Sequence, residues 1–343
     1  MSAISKRFRC QDLIAVSSAY LIIFFSWLAL YLLTGERFTI IALINFVAVY
    51  MFVPLVLVLI VAILCRSRWL GLGVLIGGAA FLWLWGGMYI PRIGKKVPDG
   101  STLTVMTYNV LAWHNHYSEI LETISIENPD VLLLQELNNG LAEVLRYELS
   151  GIYPYQELEP LDNPKGIGVI SKFPISKSEV ARPQLWAGEP QILELEWNGE
   201  VIMLVNIHMT PTTGILPRDE VEQSIRSRER EAMLLADLIR QADTVILGGD
   251  ANTTSLSDAY RILTGELKDS FREAGFGLGH TFPGSKIPES DRPHIGSLFV
   301  PPWLTRIDYI FHSDDWTVLS ARTAHFDGVS DHRGVIVELS RVD

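Results

Sequence analysis

Two cysteines, Cys10 and Cys65, are all that this 343-residue sequence contains, and both fall in its first 100 residues. The long remainder therefore has no disulfide framework and no thiolate with which to hold zinc. It also lacks paired histidines at helical spacing, internal repeats, low-complexity tracts and any basic stripe interleaved with aromatics. The last absence weighs against tight electrostatic capture of nucleic acid, and the others exclude a helix-borne zinc site and a solenoid. Charge itself is missing from residues 13–33, 38–65 and 69–91. Soluble helices show a polar face, and these runs have none.

Each uncharged run has at least 21 residues, which at about 1.5 Å per residue covers the roughly 30 Å of bilayer hydrocarbon. Three membrane-spanning helices are expected, with Asn45 and Pro54 of the second tolerated by packing against neighbours in lipid. Trp69, Trp83, Trp85 and Tyr89 crowd the ends of the third run, as interfacial belts do. A cleaved signal fits only the first run, which is too long for one and has no small-residue cleavage site. Lys6, Arg7, Arg9, Arg66 and Arg68 fall on one side of such a bundle, against Arg37, Arg92, Lys95 and Lys96 on the other. Five against four places the N-terminus in the cytosol, with Cys10 and Cys65 near that face and the last part of the chain on the extracytosolic side.

Residues 1–100 carry nine basic and three acidic side chains, whereas the rest carries 19 and 36. The expected organisation is a multi-pass membrane anchor over residues 1–91, a polar linker with proline and glycine over 92–100, and a folded domain over 101–343. In that domain short apolar runs alternate with amphipathic ones. "TLTVMTYNV", "DVLLLQEL", "GIGVISKFPI", "ILELEW", "VIMLVNIHM", "TVILGGD", "RIDYIFHS" and "GVIVEL" predict strands; "SEILETISIEN", "NGLAEVLRYEL" and residues 218–241 predict helices. Asn198-Gly199 between two of the strands is a strong hairpin signal. Hairpins mixed with strand-helix-strand units imply mixed sheets with helices outside.

Polar residues close these greasy strands: Asn109, Glu136, His208, Asp250 with Asn252, Asp308, and Asp331 with His332. Any one of them is an ordinary capping or turn residue. Together they point to one rim, because strand ends in layered sheets converge where ligands bind. Carboxylates without thiolates suit a hard cation such as Mg²⁺ or Mn²⁺. Histidines beside carboxylates hold their protons and bind developing negative charge, an acceptor such as Asp250 orients and deprotonates water, and amides fix the oxygens of a tetrahedral anion. That combination is the chemistry of a phosphoester hydrolase.

"MTYNVL", "DVLLLQEL", "GVISKFPI", "VNIHMTP", "ILGGDANTT", "TFP", "RIDYIFHS" and "SDHRGVIVEL" resemble, in order and spacing, the motifs of the endonuclease/exonuclease/phosphatase superfamily over residues 101–340. The resemblance implies a four-layer α/β sandwich, two mixed β-sheets flanked by helices, following the three transmembrane helices. It implies Glu136 as the divalent-metal ligand with Asn109 close by, Asp250 as the group that activates water, and Asn252 as a holder of a phosphate oxygen. His332, oriented by Asp308, would stabilise the pentacovalent transition state, and His208 matches members that carry histidine rather than tyrosine after this strand. Asp331 keeps two roles open, supporting a second metal or tuning a histidine. Leu111 stands where some branches have an acid, so a ligand from there is missing. Thr254 and "TRIDYI" depart from the inositol-polyphosphate 5-phosphatase branch and disfavour it.

Among the remaining candidates, His114 and His116 are read as a solvated loop ahead of a place on the site's rim, Lys172 as a solvated charge or a phosphate neighbour, and Phe299 and Trp303 as a self-packed loop or one that contacts substrate or membrane. The expected reaction is metal-dependent hydrolysis of a phosphodiester by in-line attack of water, with a metal-dependent nuclease second and a non-catalytic scaffold third. The presence of every central group opposes the scaffold. The partners expected are the bilayer and a phosphoester, drawn from a lipid head group, a nucleotide or nucleic acid; no protein partner is inferred. Without an ionisable residue inside the spans, a transporter is disfavoured.

Overall fold

The structure, a computed structural model, describes residues 3–90, 102–183, 189–212, 218–284, 294–295 and 298–342, so the expected linker lies outside the described residues. The chain separates into two units that meet between Ile90 and Pro91.

The first unit is helical: α1 (Ala3–Thr34), α2 (Thr39–Phe46), α3 (Pro54–Leu64) and α4 (Arg68–Trp85). Two helical stretches, Cys10–Thr34 and Arg68–Tyr89, are long and apolar enough to cross a membrane. The run 38–65, expected as a single span, is instead broken into α2, a 3-10 segment over Ala48–Phe52 and α3, and its two halves bend by 80°. The cause is local. Val47 leaves helical geometry between the two halves, and Pro54, which has no N–H to donate, stands in the first turn of α3, where none is needed. Asn45 turns inward at the break, accepting from the Trp27 indole at 3.2 Å and donating to Glu36 at 3.3 Å. Phe24, Phe52 and Trp85 pack around one another at the centre of this unit. A disulfide joins Cys10 near the start of α1 to Cys65 at the end of α3.

The second unit begins with β1 (Thr102–Asn109), α5 (Tyr117–Glu127), β2 (Val131–Gln135), α6 (Asn139–Glu148), β3 (Tyr155–Glu159) and β4 (Ile167–Ser171). It continues with β5 (Ile175–Lys177), β6 (Gln191–Trp197), β7 (Glu200–His208), α7 (Arg218–Ile239), β8 (Val245–Asp250), α8 (Asp258–Leu263), β9 (Lys268–Asp269) and α9 (Ser270–Ala274). A small ribbon, β10 (His294–Ile295) with β11 (Leu298–Phe299), precedes β12 (Asp308–His312), β13 (Trp316–Thr323) and β14 (Val335–Arg341). The strands form two mixed six-stranded sheets, ordered β13-β14-β1-β2-β4-β3 and β5-β6-β7-β8-β12-β9.

The period of two along each strand builds the layers. On β1 and β2, Met106, Tyr108, Leu132 and Leu134 face outward and pack with Ile120, Ile124, Leu141 and Leu145 of α5 and α6. Val205, Ile207, Val245 and Leu247 do the same with Leu235 and Ile239 of α7 and with Leu263 of α8. The alternate residues look across to the other sheet. One glycine of β8 makes the close approach possible: a Cβ on Gly248 would stand 2.5 Å from Leu133 Cδ1. At Gly249, φ is +150° and a Cβ would meet Ile207 O at 1.9 Å. Asn198 and Gly199, with φ of 53° and 82°, form the tight connection between β6 and β7.

Candidate active site

Strand register assembles the site. His208, Asp250 and Asp308 stand directly beside one another across the second sheet, because His208 pairs with Asp250 and Asp250 with Asp308. In the first sheet Asn109 stands beside Gln135, which puts Glu136 one step past the strand end. Glu136 and Asn252 have left-handed backbone conformations, with φ of 57° and 50°, as does Leu111 at 60°. Asparagine tolerates this; for Glu136 and Leu111 it costs on the order of 1–3 kcal/mol each, strain of the kind that functional sites hold.

Side chains from both sheets meet at this rim. Asn109 donates through Nδ2 to Glu136 Oε1 and to Asp250 Oδ2, both at 3.1 Å, and the Ala112 N–H holds Glu136 Oε2. His332 Nδ1 lies 2.9 Å from Asp308 Oδ2, and its Nε2 lies 3.7 Å from Asp250 Oδ2 and 3.9 Å from Asp331 Oδ1. His208 Nδ1 contacts the Pro164 carbonyl at 2.9 Å, so its Nε2 faces Asp250 at 3.6 Å and Glu136 at 4.0 Å. Asn252 donates its N–H to Asp250 Oδ1 at 2.8 Å and its carboxamide to Met209 O at 3.0 Å. All eight rim residues singled out in the sequence are thus brought together.

Burial and charge tune these groups against each other. Burial raises the Asp250 carboxyl to about 6, and Asp308 adds to the rise while His332 and His208 oppose it. Burial alone would depress His332, but Asp308, Asp250 and Asp331 outweigh it and hold the imidazole well above its ordinary value. Burial also raises Asp331. A protonated histidine beside carboxylates is ready to meet an anion.

The donor set fits a hard divalent cation. Glu136, with Asn109 at 3.1 Å, adjoins a cluster in which atoms of Asp250, Asp308 and His332 lie within 4.8 Å of one another, and the carboxylates of this group are the oxygen donors such an ion needs. Two buried carboxylate oxygens, Asp308 Oδ1 and Asp331 Oδ1, have no hydrogen-bond partner. Oxygens left over in this way are what such an ion takes up.

Other candidates lie elsewhere or do other work. Lys172 follows β4 at the end remote from Glu136 and pairs with Asp130 at 3.2 Å, so it is not a phosphate neighbour. His114 contacts the Val110 carbonyl and His116 stands beside exposed Glu119, both in the loop after β1. Phe299 lies on the β11 ribbon. Trp303 packs on Phe326.

The sequence reading missed a buried polar layer beneath the rim. Gln135 donates to Asn206 at 2.7 Å and to Thr107 at 3.0 Å, and Asn206 donates to the Leu134 and Gly168 carbonyls across the sheets. Thr107 and Asn206 stand two residues before Asn109 and His208, on the same faces; polar residues at core positions of apolar strands were the available signal. Ser330 was missed as well. Its hydroxyl donates to the Asn109 carbonyl at 2.7 Å and accepts the His332 N–H at 3.0 Å, which ties the end of β1 to the loop that carries His332.

Comparison with known proteins agrees with this architecture. Among solved structures, TDP2 from C. elegans is similar at 17% identity and a TM-score of 0.53, over 76% of this chain and 79% of that one. D. rerio TDP2 complexed with single strand DNA product matches at 16% identity and a TM-score of 0.51, over 70% and 99%. A family protein from Bacteroides thetaiotaomicron matches at 17% identity and a TM-score of 0.50, over 71% and 98%. No curated protein matches the chain significantly. These likenesses show a shared fold, and the family model for the Endonuclease/Exonuclease/phosphatase family matches residues 106–332. Covering more than half of the sequence and every rim residue, that match shows that the chain belongs to the endonuclease/exonuclease/phosphatase family.

Proposed function

We propose that the second unit hydrolyses a phosphodiester by in-line attack of water, using Mg²⁺ or Mn²⁺ held by Glu136 with Asn109 and Asp331, and that the first unit anchors it in a membrane. The observation that carries this reading is His332 lodged between Asp308 and Asp250 at a rim where both sheets contribute carboxylates. The cation, when bound, would polarise a phosphoryl oxygen. The chain's own groups do the rest. Asp250, with Oδ1 fixed by the Asn252 N–H, takes the proton of the attacking water. Asn252 keeps one carboxamide N–H beyond the one given to Met209, and directs it to a phosphate oxygen. Asp308 fixes Nδ1 of His332 as a donor, which turns the Nε2–H toward the charge that develops on phosphorus.

The test is hydrolysis of bis-p-nitrophenyl phosphate by the full chain in detergent with Mg²⁺ or Mn²⁺. Chelation with EDTA is expected to abolish turnover, and Asp250→Ala or His332→Ala to lower kcat by about a thousandfold. Failure to hydrolyse any phosphoester with either metal would overturn the reading. A nuclease is the second reading, favoured by the single strand DNA product in the similar D. rerio TDP2 structure. The unit's excess of acidic residues opposes it, and degradation of single-stranded DNA at physiological salt decides.

For sidedness, two observations pull apart. The basic-residue count places the phosphoesterase unit outside the cytosol, whereas the Cys10–Cys65 bond belongs in an oxidising compartment and favours the opposite arrangement. Protease accessibility in intact cells separates them.

A further inference from the structure

Several arginines of the second unit hold a carboxylate: Arg182 with Glu159, Arg306 with Asp269, Arg322 with Glu127, Arg341 with Glu200. Arg333, the residue after His332, differs. Among the described residues no carboxylate lies within ion-pair distance of it, and its buried Nε has no hydrogen-bond partner. It is half-buried. An unpaired guanidinium sheltered from water is costly, and a fold with this many acidic residues had partners to give it.

The surroundings hold the guanidinium in place instead. It lies 3.9 Å over the Trp303 ring, and Nη2 donates to the His280 carbonyl at 2.8 Å. Trp303 is itself braced: its N–H bonds Pro283 O, its ring packs edge-on against Phe326 at 4.8 Å, and its carbonyl meets His280 Nδ1 at 2.7 Å. The same segment carries Phe282, whose ring packs 4.9 Å from the His332 imidazole, and the Arg333 N–H bonds the neighbouring Thr281 carbonyl. A preorganised cation with no carboxylate partner among the described residues thus stands one residue from the histidine that faces the scissile phosphate. Guanidinium groups with free donors are suited to phosphate oxygens.

We propose that Arg333, shelved on Trp303, binds a second phosphate group of the substrate, so that the preferred substrate carries a phosphate monoester beside the scissile diester. This rests on the phosphodiesterase reading for the scissile bond, and adds the substrate class. The second phosphate can come from a nucleotide chain or from a phosphorylated lipid head group.

The test uses the full chain in detergent with Mn²⁺ and two esters with the same leaving group, thymidine 5′-(p-nitrophenyl phosphate) with and without a 3′-phosphate. A parallel arm compares phosphatidylinositol with its 4-phosphate in vesicles. The wild type is expected to favour the doubly phosphorylated member of at least one pair by about tenfold in kcat/KM, and the responding arm identifies the source. Arg333→Met is expected to erase that preference while leaving the singly charged ester within about twofold, and Arg333→Lys to restore part of it. Equal preference in both arms, or an equal loss for both members of a pair in Arg333→Met, would overturn the proposal. Calorimetric binding of thymidine 3′,5′-bisphosphate separates this from the parent reading. About tenfold weaker binding by Arg333→Met supports the subsite even if no ester turns over, and unchanged binding sinks it even if hydrolysis is found.

Discussion

Residues 3–90 turn Leu33, Leu64 and Leu75 outward and bring Trp27, Glu36 and Asn45 inward, whereas the unit from Thr102 onward fills its interior with apolar rows and gathers polar groups at one rim. The inward polar groups of the first unit satisfy one another and repair a broken helix. At the rim of the second unit Asp308 Oδ1, Asp331 Oδ1 and Arg333 Nε are buried without partners. Buried polar atoms that are closed upon themselves serve the fold, whereas open ones clustered beside carboxylates and histidines at one rim are available to a ligand.

The strongest way to break that contrast is through a pair that is both buried and closed. Asp269 accepts both Arg306 nitrogens, at 3.0 and 2.6 Å, and the Tyr260 hydroxyl at 2.8 Å. Asp269→Asn is expected to cost about 3–5 kcal/mol by equilibrium unfolding at pH 7, since it strands a buried guanidinium. Burial pushes this carboxyl up, but Arg306 outweighs it and holds it below the ordinary carboxylate range. Its contribution is therefore complete above the unfolded value of about 3.9 and fades as pH falls through the lower folded value. The gap between wild type and variant should narrow below pH of about 4; a gap constant into that range would contradict the pairing.

Much of this second unit is legible in its sequence, and the exceptions have physical causes. Apolar alternation and Asn198-Gly199 give β1, β2, β6, β7, β8, β12 and β14. The strands β3 and β13, "YQELE" and "WTVLSART", escape because they are the two edges of the first sheet, and their half-exposed patterns look like surface chain. In the first unit hydropathy sees only an unbroken apolar run over 38–65, and it is blind to the turn at Val47. The rim acids were visible as polar ends of greasy strands. Arg333 was not, because what sets it apart, a carboxylate partner lacking among the described residues, is a matter of tertiary contacts.

A smaller effect sharpens the comparison. Asn206→Leu removes the carboxamide shared by Gln135 and two carbonyls, and is expected to cost about 1–3 kcal/mol of stability and to lower kcat through the layer that carries Asn109 and His208. Asn45→Leu in the first unit is expected to leave turnover of a soluble ester unchanged. Equal effects of the two substitutions on kcat would erase the distinction. The smallest effect belongs to deletion of residues 1–91, which should leave kcat on bis-p-nitrophenyl phosphate within about twofold while abolishing recovery in membrane fractions, as expected for separate folding units.

The most direct measurement is Mn²⁺ binding followed by electron paramagnetic resonance on the full chain and its Glu136→Gln variant. Saturable uptake of Mn²⁺ by the wild type, weakened at least tenfold in the variant and displaced by Mg²⁺, is the expected result. A wild type that binds no Mn²⁺, or a variant that binds it equally well, would contradict the proposal that these strand ends hold a divalent cation through Glu136.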